Sequence, residues 1–233
     1  MKLMVSALAA VLAAVSTAQA APITGSQLSG VTTGKATVYM IDLSQIGLEY
    51  LSSITISESN LADRNGTTAI FSGLDLDAIW ISNVQCSDVA CLSGATTVAA
   101  LDYANVQFSA GSIINGGTGD LFGTSGGAIL GNVATLGSLD AQLSPTVSGF
   151  FSTGVGGILT LDLISALNLL SGSYYLYIAE VGANDNEFSF DLVTFDEGEV
   201  LVNPVPAALP LMLTGLATVG FFGRRRKGKQ RAA

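Results

Sequence analysis

Three runs near the end of the chain, Ile158-Leu-Thr-Leu-Asp-Leu-Ile164, Tyr174-Tyr-Leu-Tyr-Ile-Ala-Glu180 and Glu187-Phe-Ser-Phe-Asp-Leu-Val-Thr-Phe195, follow one another at regular spacing. Each is short and rich in β-branched or aromatic residues, as strands require. In the third, Phe188, Phe190 and Leu192 share one face while Ser189 and Asp191 take the other, the period of two of a half-buried strand. Gly182-Ala-Asn-Asp-Asn186 lies between the second and third runs and predicts a hairpin connection. Leu163–Leu170 has an alternative, because Leu163, Ala166, Leu167 and Leu170 also fit the 3.6 period of a brief helix.

Upstream, Ala36–Asp42, Ser52–Glu58 and Ala78–Ser82 read as further strands, with Ile54-Thr-Ile-Ser alternating apolar and polar residues. Many short strands separated by Gly- and Ser-rich turns predict an all-β fold, a β-sandwich or jelly-roll-like domain. Gly111–Gly131 breaks this rhythm, with eight glycines in twenty-one residues. A set of closely packed strand turns would fit, but glycine loses much backbone entropy on ordering, so a long mobile loop is the preferred expectation there. Gly117-Thr-Gly119 lacks the Lys-Ser/Thr of a phosphate-binding loop and the spacing of a dinucleotide fingerprint. Trp80, Tyr174, Tyr175 and Tyr177 offer a sugar-stacking platform. Trp80 is flanked by Ile79 and Ile81, and the tyrosines sit in an apolar strand, so core packing is expected for most of them.

Chemistry is limited first by what is missing. The 233 residues include no histidine, which excludes a Ser-His-Asp triad, a Cys-His dyad and most zinc hydrolase sites. Carboxylates remain. Asp75 and Asp77 would project from one face of an extended segment, roughly 7 Å apart at their α-carbons. That spacing suits a glycosidase acid/base pair and hence a carboxylate-based polysaccharide hydrolase. It equally suits an alternating strand with Leu74 and Leu76 inward and both acids at the surface, the expectation adopted here. Asn184, Asp185 and Glu187 crowd one turn, and with Asp75 and Asp77 they outline a calcium site, since calcium takes six to eight oxygens on flexible loops. The same turn is also what a plain Asn/Asp hairpin looks like. Cys86 and Cys91 are the only cysteines and predict a disulfide closing a small loop in an oxidising compartment.

The two ends carry targeting signals. Lys2, the apolar stretch Leu3–Val15 and Ala18-Gln-Ala20 before Ala21 form a secretory signal peptide, residues 1–20, to be removed by signal peptidase. The exported domain is then 21–202. Its two basic residues, Lys35 and Arg64, stand against all eighteen acidic ones, a net charge of −16. Such a surface repels nucleic acid and keeps an exported protein soluble. After Asn203 come Pro204, Val205, Pro206 and Ala207, an uncharged stretch Val205–Phe222, and the cluster Arg224, Arg225, Arg226 and Lys227 within a basic end at 224–231. As a helix, Val205–Phe222 would reach about 27 Å, enough for one membrane span. The basic end predicts a cytoplasmic C-terminus and an exported remainder.

Motif, span and basic cluster, in that order over residues 203–233, resemble the PEP-CTERM protein-sorting tail, closest to the variant reading Val-Pro-x-Pro-Ala followed by Ala-Leu-Pro-Leu. Asn203 stands where Val is usual, and Val205 replaces the common Glu between the prolines. The resemblance implies an exosortase that recognises and cleaves the tail, in bacteria with two membranes that make exopolysaccharide. It further implies a final position at the cell surface or in the extracellular matrix. The expected role is therefore a non-enzymatic, structural or adhesive one in exopolysaccharide or biofilm, without a cofactor. A calcium-assisted carbohydrate-binding module is the alternative.

Overall fold

The computed structural model describes residues 23, 25–32, 35–57, 69–114, 118–182 and 193–197. The structure is all-β, with helix limited to short 3-10 turns among those residues. The signal-cleavage residues Ala18, Ala20 and Ala21, the turn residues Asn184, Asp185 and Glu187, the motif Pro204–Ala207 and the basic cluster Arg224–Lys227 lie outside them. So does the expected span Val205–Phe222. Among the described residues no helix is long and apolar enough to cross a membrane.

The described residues hold twelve strands: β1 (Gly25–Gln27), β2 (Ala36–Asp42), β3 (Tyr50–Ser57), β4 (Asp75–Ser82), β5 (Thr97–Ala99), β6 (Gln107–Ser109), β7 (Thr124–Ser125), β8 (Ala128–Ile129), β9 (Phe151–Ser152), β10 (Ile158–Asn168), β11 (Tyr175–Val181) and β12 (Val193–Glu197). One sheet runs β1-β2-β11-β4-β5, with β9 also paired to β4, and the second runs β12-β3-β10-β6. All of these pairings are antiparallel. The longer strands alternate between the sheets along the chain, β2, β4 and β11 in the first and β3, β10 and β12 in the second.

That alternation overturns the hairpin expected at Gly182–Asn186. β11 already has β2 on one side and β4 on the other, so both rows of its backbone groups are taken. Val193–Glu197 pairs with β3 instead. The brief helix at Leu163–Leu170 is also replaced. β10 continues to Asn168 with a break in its register on β3 between Asp162 and Leu167, and only Leu169–Ser171 forms a 3-10 turn. Leu163 and Leu169 are buried but Leu170 is 72% exposed, so a helical stripe does not follow the core.

Ile41, Leu76, Ile79, Leu176 and Ile178 of the first sheet share a core with Ile54, Ile56, Leu159, Leu161 and Val193 of the second. The first sheet has a second apolar face as well. There Val38, Ala78, Trp80, Tyr175, Tyr177 and Val181 pack beneath Leu28, Cys86, Ala141 and Phe150 of the connecting segments. This is why every residue of β11 is buried. Trp80 stacks on Tyr177 at a centroid distance of 5.1 Å and lies inside, as the core reading of these aromatics requires. The Tyr177 hydroxyl donates to the Val84 carbonyl at 2.6 Å and accepts from the Cys86 amide at 2.9 Å. Burial raises its pKa.

The described part of Gly111–Gly131 is built rather than loose. Gly126 and Gly127 both have positive φ (56° and 82°) and join β7 to β8, as a tight two-residue hairpin turn demands. A Cβ on Gly111 would meet the Gly154 backbone at 2.5 Å, so glycine there permits backbone-to-backbone packing.

Candidate functional site

β4 positions the chemistry. Its pairing with β11 slips between Ala179 and Glu180, because Ala78 faces Ala179 while Leu76 faces Glu180. Asp77 is the extra residue of this β-bulge. Leu74 and Leu76 point into the core between the sheets before it, whereas after it the same core receives Ile79 and Ile81. The bulge thus reverses which parity of residue faces inward.

The released Asp77 side chain is taken up by a connecting segment. Its Oδ1 accepts from the Asp140 amide at 3.0 Å and the Ala141 amide at 3.1 Å. Oδ2 is buried with no hydrogen-bond partner, and the residue is 1% exposed. Burial is the largest influence on this carboxyl and lifts its pKa to about 7; the two amides pull it down and the Asp140 charge pushes it up. The surface position expected for Asp77 is therefore corrected, since the covering segment turns the opposite sheet face into a second core. Asp75, half-buried, has its Oδ1 bonded by the Ser152 hydroxyl at 2.5 Å.

The Asp77 contact fixes the middle of a longer strap, Ala134–Gly149. Ala134 pairs with Gly149 and Gln142 with Ser148, while the Ile79 amide donates to the Leu136 carbonyl at 2.8 Å. The Thr135 hydroxyl donates to the Asp140 carboxylate at 2.5 Å. Ala134–Ser138, the first part of this strap, forms one wall of a cleft of about 670 Å³. Tyr103, Phe108 and Ile129 also line it. Among the described residues no charged side chain lines the cleft, although residues 21–202 carry a net charge of −16. The Tyr103 hydroxyl donates to the Ile79 carbonyl at 2.5 Å, and burial pushes its pKa up to about 12. A Cβ on Gly137 would stand 3.1 Å from the Tyr103 ring, so the wall and the ring are in close register.

Cys86 and Cys91 are joined, with a Cα–Cα distance of 5.5 Å. The bridge lies beside the Tyr177 hydroxyl and the 3-10 turn Val89–Gly94, whose N-cap Asp88 accepts from the Cys91 amide at 3.0 Å. Of the five carboxylate and amide residues outlined for calcium, Asp75 and Asp77 are engaged with different partners, and the other three lie outside the described residues. Among the described residues no group of three or more His, Cys, Asp or Glu could hold a metal ion.

Sequence reasoning singled out neither the cleft nor the strap. The bulge did leave a signal: the apolar positions change from 74 and 76 to 79 and 81, with Asp77-Ala78 at the change of phase. Comparison with known proteins adds no family assignment: no family model, curated protein or solved structure matches the chain.

Proposed function

We propose that this chain is an exported protein of the cell surface or extracellular matrix, sorted through its C-terminal tail and serving a structural or adhesive role in exopolysaccharide or biofilm. The observation that carries this reading is the order of the tail: Pro204-Val-Pro-Ala207, the uncharged Val205–Phe222 and Arg224–Lys227. Signal peptidase and an exosortase are the processing partners, and the inner membrane is a transient station. The exported domain is read as a β-sandwich of jelly-roll-like type, supported by the core between two antiparallel sheets. An intact Cys86–Cys91 pair suits an oxidising compartment. The role is read as non-enzymatic, and the burial of Asp77 under its strap argues against an acid/base pair with Asp75.

The test follows the full chain in a double-membrane host, with one tag after Ala21 and another after Ala233. Loss of the C-terminal tag near Pro206 only when the exosortase is present supports the sorting reading. Retention of both tags in the inner membrane with the enzyme present rejects it.

A second reading, a carbohydrate-binding module, is favoured by the uncharged cleft between Tyr103, Phe108 and Ala134–Ser138. Aromatic rings beside hydroxyls and exposed backbone suit neutral sugar rings. Affinity electrophoresis against neutral glucans and galactans should show retardation that Ser138→Arg abolishes. Loss of retardation in chelator would make calcium part of this site.

A further inference from the structure

The buried Asp77 carboxylate has no place in either reading above, yet its setting is built with several independent contacts. It occupies a β-bulge, satisfies two amides of one strap through Oδ1, and leaves Oδ2 buried and unpartnered. The same strap walls the cleft, and Asp140 connects the two, because its amide meets Asp77 while its carboxylate holds Thr135 of the wall. We propose that Asp77 is a proton-operated latch: a proton on Oδ2 keeps the strap Ala134–Gly149 closed over β4, and loss of that proton loosens the strap and the cleft wall with it.

The charges around the latch set its direction. On the strap, Asp140 repels an ionised Asp77. On β4 itself the nearest acid is Asp75, which is hydrogen-bonded to Ser152 of β9. On β11, Glu180 is buried opposite the bulge, and Tyr177 lies further along the same strand. Lys35 lines a cavity of about 530 Å³ beside Asp140 and is the one described basic residue near the strap. Burial and the neighbouring acid both favour the neutral carboxyl, and this outweighs the two amides, which favour the ionised form. Protonation makes Oδ2 a neutral hydroxyl, which costs less to bury than a charged oxygen, and leaves Oδ1 accepting both amides. No other group must change its proton. Raising the pH through about 7 therefore favours any state in which Asp77 reaches water.

The test uses the full chain, purified in mild detergent. Amide hydrogen exchange is followed at Asp140 and Ala141 from pH 5 to 9, corrected for the intrinsic rate. A single carboxyl titrating near 7 in the closed state and near 4 in the open one predicts about a tenfold loss of protection between pH 6 and 8. The β11 amides of Leu176 and Ile178 should keep their protection over that range. Asp77→Asn, which keeps the acceptor for both amides but cannot ionise, should hold Asp140 and Ala141 protected throughout. A ¹³C titration of the Asp77 carboxyl in the unaltered chain gives a second reading if that variant folds poorly; its midpoint should mark the pH at which the loss of protection levels off. Flat protection at Asp140 and Ala141, an equal loss in Asp77→Asn, or a parallel loss across β11 would each overturn the latch.

Discussion

Asp77 and Tyr177 show two opposite ways of burying a polar side chain. Tyr177 is satisfied on both sides of its oxygen, by Val84 and Cys86. Tyr177→Phe leaves the Val84 carbonyl and the Cys86 amide without this partner. The expected loss is about 1–3 kcal/mol, measured by urea unfolding at constant pH. Asp77 is satisfied on one oxygen only, and its folded pKa near 7 stands above its ordinary value of 3.8. The folded state therefore holds the proton more tightly than the unfolded one. The resulting stability is complete below about pH 4 and is lost as pH rises through about 7. Asp77→Asn should melt close to the parent at pH 4. At pH 8 it should be more stable, by on the order of 2–4 kcal/mol, and its melting temperature should no longer fall across neutrality. A parent chain whose melting temperature is level between pH 5 and 8 would contradict this account.

At the scale of elements, the glycines and the disulfide act locally. Gly154 has φ +78°, and a Cβ there would meet the Gly111 backbone at 2.7 Å and Leu121 at 2.8 Å. Gly154→Ala should therefore destabilise by about 3 kcal/mol or more, through both strain and overlap. Gly126→Ala meets no atom within 4 Å and has only its φ of +56° against it. About 1 kcal/mol is expected, and the contrast between the two substitutions in thermal melts checks the packing role assigned to Gly154. The Cys86–Cys91 loop is short, so reduction should remove about 2 kcal/mol by chain entropy. Exchange should rise mainly around Val84–Gly94, with the paired amides of β2, β4 and β11 unaffected. Much of this level was readable in advance. Ala36–Asp42 is a strand with the expected bounds, and Ser52–Glu58 and Ile158–Ile164 fall on β3 and β10 within a few residues. Leu163–Leu170 is ambiguous by sequence because Leu163, Ala166, Leu167 and Leu170 fit a helix, while pairing with β3 and contact with β5 decide for a strand up to Asn168.

At the scale of the whole molecule, if the chain is processed as proposed, residues 21–202 carry −16 with two basic residues and should stay monodisperse at low salt. Transient encounters with anionic polymers should be weak at low ionic strength and grow as salt screens the repulsion, which light scattering with alginate would show. If the tail is processed as proposed, the released form should end near Pro206 and leave the membrane fraction without detergent.

The all-β class and the strand segments follow from local information: period-two alternation and turn residues. Each of these depends on a residue and its near neighbours, so the chain alone could determine the class and the strands. Strand partners did not follow. Gly182–Asn186 looks like a hairpin, but both edges of β11 were already taken by β2 and β4, from far earlier in the chain. Nor did the environment of Asp77, because a polar residue in an alternating strand is solvated only if nothing covers that face. Here Ala134–Gly149, some sixty residues later, lies across it and turns a surface acid into a buried one. Burial and its electrostatic consequence depend on which distant segments exclude water, and only the tertiary structure decides that.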